Sequence, residues 1–378
     1  MRFRNVASTS AALITLALAL VPVSAGGQRP QSAADCPPQS GLPGRGFVGL
    51  STEDVFAHPG SYRACELNKQ VASGVGVIRQ TFDWKSIEPS RGHYRFGYYD
   101  GFVQALAEHG IRVLPILFDP PRHRARQARR GTYPPRRYRD LGRFGAVLVR
   151  RYGPKGSFWR RHPNVPRVPI RAWQIWNEPN IRVYWPTGPS PGQYVRLLRA
   201  SGRVIKRADP GAEIVTAGLP KSNLGMPVER FVRGMYRAGG RTAFDTLAIN
   251  PYASSAGGVV GIVRSMRRLM NSHGDRGGNL WVTEFGWSTG GPQSRFRTSE
   301  GGQATRVASA LAALHRSRGQ LRLRGAIYYN WRDGRPYPPL FQDFFGLHTG
   351  LNDVNGRPKP ALKAFAEAAG ALPSSRRD

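Results

Sequence analysis

Apolar residues in this chain gather in short unbroken runs rather than alternating with polar ones. Eight such runs begin near Phe47, Val75, Arg112, Arg171, Glu213, Phe244, Leu280 and Leu323. Val75-Gly76-Val77-Ile78-Arg79 and Ala326-Ile327-Tyr328-Tyr329-Asn330-Trp331 are examples. Continuous apolarity marks strands buried on both faces, as in a parallel sheet. Between the runs the spacing turns helical. Phe102, Val103, Leu106 and Ala107 form one stripe, and Val259, Ile262, Val263, Met266 and Met270 form another. Strand and helix units in this number predict an α/β chain folded as one (β/α)8 TIM barrel over residues 46–372. A doubly wound sheet is the competitor, but it carries a Gly-rich phosphate turn after its first strand. The first run here reads Phe47-Val48-Gly49-Leu50-Ser51-Thr52, without that turn. Pro115 falls inside the third run, where it removes a ladder donor, and predicts a bulge or a late strand start.

The ends of the chain read differently. Arg2 and Arg4 precede an apolar run from Ala11 to Val23, and Val23-Ser24-Ala25 offers small residues for cleavage. This pattern predicts a signal peptide over 1–25, a secreted mature chain beginning at Gly26, and no transmembrane span after cleavage. A membrane anchor is the alternative reading of the same run. Residues 26–45, rich in Pro, Gly, Ser and Gln, read as a flexible extension, and 373–378 as a frayed tail. The two cysteines, Cys36 and Cys65, form an even pair. In an exported chain such a pair predicts one disulfide, tying the extension to the first helix and adding about 3 kcal/mol. Two free thiols are the alternative.

Charge changes the picture less than its size suggests. The formal net charge is +33, from 56 Lys and Arg against 23 Asp and Glu. Most of it is Arg accompanied by Ala, Gly and Pro, a mix that codon bias writes unaided. A solvated basic surface and attraction to an anionic polymer both fit. The densest run, Arg122 to Arg139, mixes Arg with Pro, Gly and Tyr. It lacks the long helical pattern of a base-reading region, so no specific nucleic-acid partner is expected. The eight histidines show no metal-ligand spacing. Neither a nucleophilic serine elbow nor a phosphate loop is present, and the chemistry expected here needs no metal or organic cofactor.

Two strings carry that chemistry: Trp176-Asn177-Glu178-Pro179-Asn180 and Trp281-Val282-Thr283-Glu284-Phe285-Gly286-Trp287. Each places a carboxylate at the end of a strand-like run, Glu178 on the fourth and Glu284 on the seventh. In a TIM barrel, strand ends form the active site. Barrel dimensions put Cα atoms three strands apart at roughly 14 Å and two inward-reaching carboxylates at roughly 6 Å, near the separation of a retaining glycosidase.

The two strings resemble the clan A retaining glycoside hydrolases, the cellulase-type TIM barrels, with family 39-like and family 5-like members nearest in pattern. Arg79-Gln80-Thr81-Phe82-Asp83-Trp84, Ile87-Glu88-Pro89 and Gly92-His93-Tyr94 support the likeness, which covers residues 46 to about 370. The resemblance implies an enzyme that hydrolyses O-glycosyl bonds of an extracellular oligo- or polysaccharide. Glu178 is then acid/base and Glu284 nucleophile. Asn177 bonds the sugar 2-hydroxyl, Arg79 keeps Glu284 ionised, Tyr252 hydrogen-bonds Glu284, and Trp331 lies under the sugar ring. Trp287 joins them as a substrate-binding residue. A cis peptide is implied at Trp331-Arg332. The chain departs from some clan members in lacking a His beside Asn250 and in carrying Phe118-Asp119 where they have a third-strand His. The basic run after the third strand suggests an anionic substrate or carrier polymer. A barrel that binds wall carbohydrate without turnover is the second class that the fold permits.

Overall fold

The computed structural model describes residues 36–38, 46–126, 133–336 and 342–370. The expected leader, the tail and most of the 26–45 extension lie outside the described residues, as does the centre of the basic run.

Eight parallel strands close on themselves: β1 Val48–Ser51, β2 Val77–Asp83, β3 Arg112–Phe118, β4 Ala172–Ile175, β5 Glu213–Thr216, β6 Thr246–Asn250, β7 Asn279–Phe285 and β8 Leu323–Tyr328. Each begins within two residues of a predicted run. The ring is sealed where β1 pairs with β8 and where Val215 of β5 pairs with Thr246 of β6. A two-residue strand, Leu219–Pro220, pairs with β6 near the mouth. Helices cover the outside, as the TIM-barrel expectation requires.

Side chains alternate along a strand, so one parity faces the axis. Near the bottom that parity is apolar: Val77, Leu114, Val215, Ala248, Trp281 and Ile327 form a separate buried cluster, with Ala172 packed against it. Gly49 completes the layer because nothing larger fits. A Cβ there would lie 2.5 Å from Val77 Cγ1 and 3.0 Å from Ile327 Cγ1. Two residues further along, the inward parity turns polar at Arg79, Gln174, Asn250 and Thr283. The apolar plug is thus the floor on which a polar layer stands.

Local signals start the long outer helices. Ser190, Ser255 and Ser299 accept hydrogen bonds from the backbone N–H groups of Gln193, Gly258 and Gly302, capping helices Pro191–Ala208, Ala256–Ser272 and Glu300–Arg316. Each cap is worth about 1 kcal/mol. Pro191 sits in the first turn, where its missing N–H removes no helical bond. Cys36 and Cys65 form a disulfide that ties the extension to helix Ser61–Ala72. That helix is the second of the fold, because Glu53–Ala57 forms a short one before it.

Pro115 does not produce the expected bulge. Its neighbours keep regular register with β2 from Val77↔Arg112 to Asp83↔Phe118. Arg112 donates to Gly76 on the β2 side, whereas Leu117 accepts from Trp176 on the β4 side. Residue 115 shares the parity of 117, so its absent N–H faces β4. The β3–β4 pairing starts only at Ile116↔Gln174, and no ladder bond is lost. Among the described residues, no helix is long and apolar enough to cross a membrane.

Candidate active site

Glu284 lies in β7 and is fully buried. Arg79 Nη1 donates to its Oε1 at 2.5 Å, and Tyr252 Oη to its Oε2 at 2.9 Å. Arg79 fans out from β2 to two more acceptors, Gln174 Oε1 at 2.6 Å through Nε and Asn177 Oδ1 at 3.1 Å through Nη2. It makes none of these bonds to Asp83 or Asp119, its sequence-local carboxylates. Burial, and next the Glu284 charge, push the Tyr252 phenol well above its ordinary range, so it stays a donor.

Glu178 sits three residues beyond β4 rather than at its last residue. The chain gets there through left-handed backbone at Trp176 (φ 75°) and at Glu178 itself (φ 39°). Non-glycine residues in that region carry strain of order 1–3 kcal/mol and persist only where surroundings hold them. The surroundings here are specific. The Trp176 indole N–H donates to the Tyr184 carbonyl at 2.8 Å, with its ring edge-on to Phe118 and Trp185. Asn180 Nδ2 donates to the carbonyls of Pro220 and Met226 at 3.0 and 3.1 Å. In the Trp-Asn-Glu-Pro-Asn string the two outer residues therefore build the turn, and Asn177 and Glu178 between them reach Arg79 and Asn250.

The Glu178 carboxyl has one polar partner on Oε1, Asn250 Nδ2 at 2.8 Å; Oε2 is buried with none among the described residues. Burial, followed by the nearby Glu284 carboxylate, pushes it well above the ordinary carboxylate range, against the smaller pull of Asn250 and Arg79. Asn250 Oδ1 in turn accepts from Thr283 Oγ1 at 2.8 Å. A near-closed circuit results. It runs from Glu284 through Arg79 to Asn177, the neighbour of Glu178, and from Glu178 through Asn250 to Thr283, the neighbour of Glu284.

The circuit needs two consecutive β7 residues at one mouth, which a regular strand forbids. The β7–β8 register shifts between Val282 and Phe285 supply the exception. Beyond the shift Phe285 turns to the helices, edge-on to Tyr328, which meets Phe365 of helix Pro360–Gly370. Trp287, two residues on, is fully buried. Its ring meets Phe285, its indole N–H donates to the Ala253 carbonyl at 2.8 Å, and its own carbonyl accepts from Gln303. Trp331 is buried just past β8, with its indole N–H fixed on Glu66 Oε2 at 2.6 Å. The cis peptide lies two bonds earlier than implied, between Tyr329 and Asn330.

Known proteins share this architecture. A β-galactosidase family model, Glyco_hydro_42, matches residues 62–117. No curated protein matches the chain. Among solved structures, a family 39 glycoside hydrolase from the gut symbiont Bacteroides cellulosilyticus WH2 is 18% identical, with a TM-score of 0.64 over 87% of this chain and 64% of that one. A monomeric β-xylosidase from Caulobacter crescentus CB15 is 18% identical, with a TM-score of 0.65 over 87% and 69%. A GH39 enzyme from Xanthomonas axonopodis pv. citri is 16% identical, with a TM-score of 0.63 over 94% and 73%. The barrel fold is theirs. This chain spans 64% of the length of the first of these structures.

Sequence reasoning passed over Gln174 and Thr283. Each has a findable signal, a polar residue at inward parity one layer above an apolar one, Ala172 and Trp281.

Proposed function

We propose that this chain is a secreted retaining glycoside hydrolase that cleaves O-glycosidic bonds of an oligo- or polysaccharide by double displacement. The observation that carries the reading is the contrast between two carboxyls in one hydrogen-bonded circuit. One is salt-bridged and doubly hydrogen-bonded; the other is desolvated, repelled by the first, and held by one amide. Environments that drive two titratable groups apart assign the acid and the nucleophile.

In the first step neutral Glu178 gives its proton to the glycosidic oxygen while Glu284 attacks the anomeric carbon. The C–O bond to the leaving group breaks as the glycosyl ester forms. Esterification removes the charge on Glu284, and with it one of the two influences holding the Glu178 carboxyl up. Glu178, now a carboxylate, takes a proton from water, which opens the ester with a second inversion. Arg79 and Tyr252 hold the nucleophile in line. Asn177 has its Oδ1 fixed by Arg79 and a buried Nδ2 without a partner among the described residues, ready for the sugar 2-hydroxyl. Trp331, whose plane is set by Glu66, is the platform under the ring in this reading. The leader pattern and the Cys36–Cys65 disulfide both support an oxidising, extracytoplasmic location.

Paired variants test the roles. Glu284→Ala abolishes turnover of aryl β-glycosides, and azide restores part of it as a glycosyl azide of inverted configuration. Glu178→Gln slows substrates with poor leaving groups far more than activated aryl glycosides. Wild-type rates in both variants overturn the assignment.

A further inference from the structure

Basic charge is unevenly spread along this chain. No acidic residue occurs from Leu141 to Asn177 or from Pro179 to Ala208, whereas cations recur through both stretches. Other segments are balanced or acidic. Helix Gly97–Glu108 carries Asp100 and Glu108 and no cation, and helix Pro360–Gly370 sets Lys363 against Glu367. The described part of the basic run after β3 offers less than its composition suggests, since Arg124 is paired with Glu88 and Asp140, and Arg136 donates to the Ala125 carbonyl.

The acid-free stretch before β4 builds a cavity. Helix Tyr138–Tyr152 runs back from the mouth, so the loop that follows it lies at the far end of the barrel and leads into the start of β4. The Ile170 N–H donates to the Tyr152 carbonyl at 3.0 Å and closes this loop. Lys155, Gly156, Trp159, Arg160 and Arg167 line a space of about 340 Å³, the lower end of the range for small-ligand sites. Two successive carbonyls hold its guanidinium groups. Arg160 Nη1 donates to the Lys155 carbonyl at 2.7 Å, and Arg167 Nη2 donates to the Pro154 carbonyl. The turn that presents those carbonyls is closed by the Gly156 N–H on the Gly153 carbonyl at 2.8 Å. It needs glycine, because a Cβ on Gly156 would lie 2.3 Å from the Arg151 carbonyl oxygen. Each guanidinium has five N–H donors, so most remain after these bonds. Lys155, Arg160 and Arg167 have no carboxylate partner among the described residues, whereas the nearby Arg151 is paired with Asp100. Trp159 supplies an apolar wall. It is 6% exposed, its indole N–H is spent on the Tyr152 carbonyl at 3.0 Å, and its ring stands edge-on to Phe158.

We propose that this cavity is a carbohydrate site separate from the mouth, where the protein holds an acidic polysaccharide by the charged groups of its sugars. Two guanidinium forks match carboxylate or sulfate oxygens, and an indole with no free N–H matches the carbon face of a sugar ring. Other polyanions fit less well. Among the described residues the exposed large hydrophobic is Tyr98, on helix Gly97–Glu108. The cavity therefore offers no exposed aromatic face on which bases stack and no apolar wedge for a lipid surface. Glu178 and Glu284 stand at the opposite end of the barrel, so a polymer held here tethers the protein and leaves the mouth open. The inference goes beyond the glycosidase reading and holds whichever glycoside is cleaved.

The test measures binding of the purified protein to polygalacturonate, neutral galactan, single-stranded DNA and phosphatidylglycerol vesicles at about 0.15 M salt, where exposed charges are screened beyond about 8 Å. Polygalacturonate binds and galactan does not. Arg160→Gln with Arg167→Gln weakens polygalacturonate binding by about 10-fold or more, the range of hydrogen bonds to charged groups. Lys155→Gln, which touches neither of the carbonyl bonds, weakens it by about 3-fold and serves if the double variant does not fold. Arg264→Gln with Arg268→Gln removes the same charge from helix Ala256–Ser272 and changes binding by less than about 2-fold. Polygalacturonate does not compete with aryl glycosides for turnover, and kcat/KM on them stays within about 2-fold in every variant. Equal weakening by the two double variants shows diffuse attraction and overturns the site. Competition with aryl glycosides places the polymer in the mouth and overturns it too. So does tighter binding of DNA or vesicles than of polygalacturonate with the same dependence on Arg160 and Arg167. Absence of glycoside turnover by the wild type removes the glycosidase reading and leaves this site standing.

Discussion

Gly218 offers a test of how the proposed acid is held, from a residue that touches no substrate. It lies two positions past β5, beneath the Asn250–Thr283 pair. A methyl placed there meets Asn250 Oδ1 at 2.2 Å and Thr283 Oγ1 at 2.6 Å. Carbon does not approach oxygen that closely, so in Gly218→Ala the Asn250 amide must retreat by about 1 Å, since non-bonded contacts settle beyond about 3 Å. Among the described residues Asn250 is the one polar partner of the Glu178 side chain, at 2.8 Å, and a retreat of that size breaks the bond. A misplacement of about 1 Å costs up to about 100-fold in rate, and overpacking costs about 1–3 kcal/mol of stability. The expected result is a kcat/KM lower by about 30- to 100-fold with a modest drop in Tm. Asn250 also lowers the pKa of Glu178, so its loss moves the basic limb of the pH–rate profile upward. The assay is kcat/KM against pH for wild type, Gly218→Ala, Asn250→Ala and the double variant, with melting curves alongside. Once Asn250 is truncated the methyl has room, so Gly218→Ala adds little in that background. Wild-type rate and profile in Gly218→Ala, or full additivity in the double variant, would refute the claim that this amide positions the acid.

Three more expectations follow from buried charge and from the disulfide. Arg79→Met strands the Glu284 carboxylate and leaves Gln174 and Asn177 without their donor; denaturant unfolding should show a loss of about 3–5 kcal/mol, and a loss under 1 kcal/mol contradicts the network. Burial, with Asp119 next in weight, raises Asp83 from 3.8 to about 7. The stabilisation from its proton is therefore complete below about pH 3.8 and is lost as pH climbs through 7, at most ~1.4 kcal/mol per unit. Relative to wild type, Asp83→Asn should gain stability from pH 4 to 7, and a pH-independent difference dismisses the shift. Cys65→Ser opens a loop with sequence separation 29 and should cost about 3–4 kcal/mol of unfolding free energy.

The barrel was legible because strands buried on both faces need unbroken apolar runs, and eight of those runs locate the strands. Glu178 and Glu284 were legible because their strings recur at barrel strand ends. Their geometry was not. Positive φ at Trp176 and Glu178 leaves no trace in residue type, so counting placed Glu178 on the last residue of β4. The β7 register shift is equally silent. Without it Thr283 and Glu284 cannot share a mouth. Pro115 misled because the rule against proline in strands assumes that both edges are paired, and the β4 side of that position is not.

The most direct measurement is mass spectrometry of the enzyme after reaction with activated 2-deoxy-2-fluoro glycosides, which accumulate the glycosyl-enzyme. Double displacement through Glu284 predicts time-dependent inactivation, one added fluorosugar per chain, and a labelled peptide modified at Glu284. Reactivation should occur on transglycosylation to an acceptor sugar. Labelling at Glu178 or elsewhere, or turnover of the parent glycoside with an inverted first-formed anomer, would contradict it.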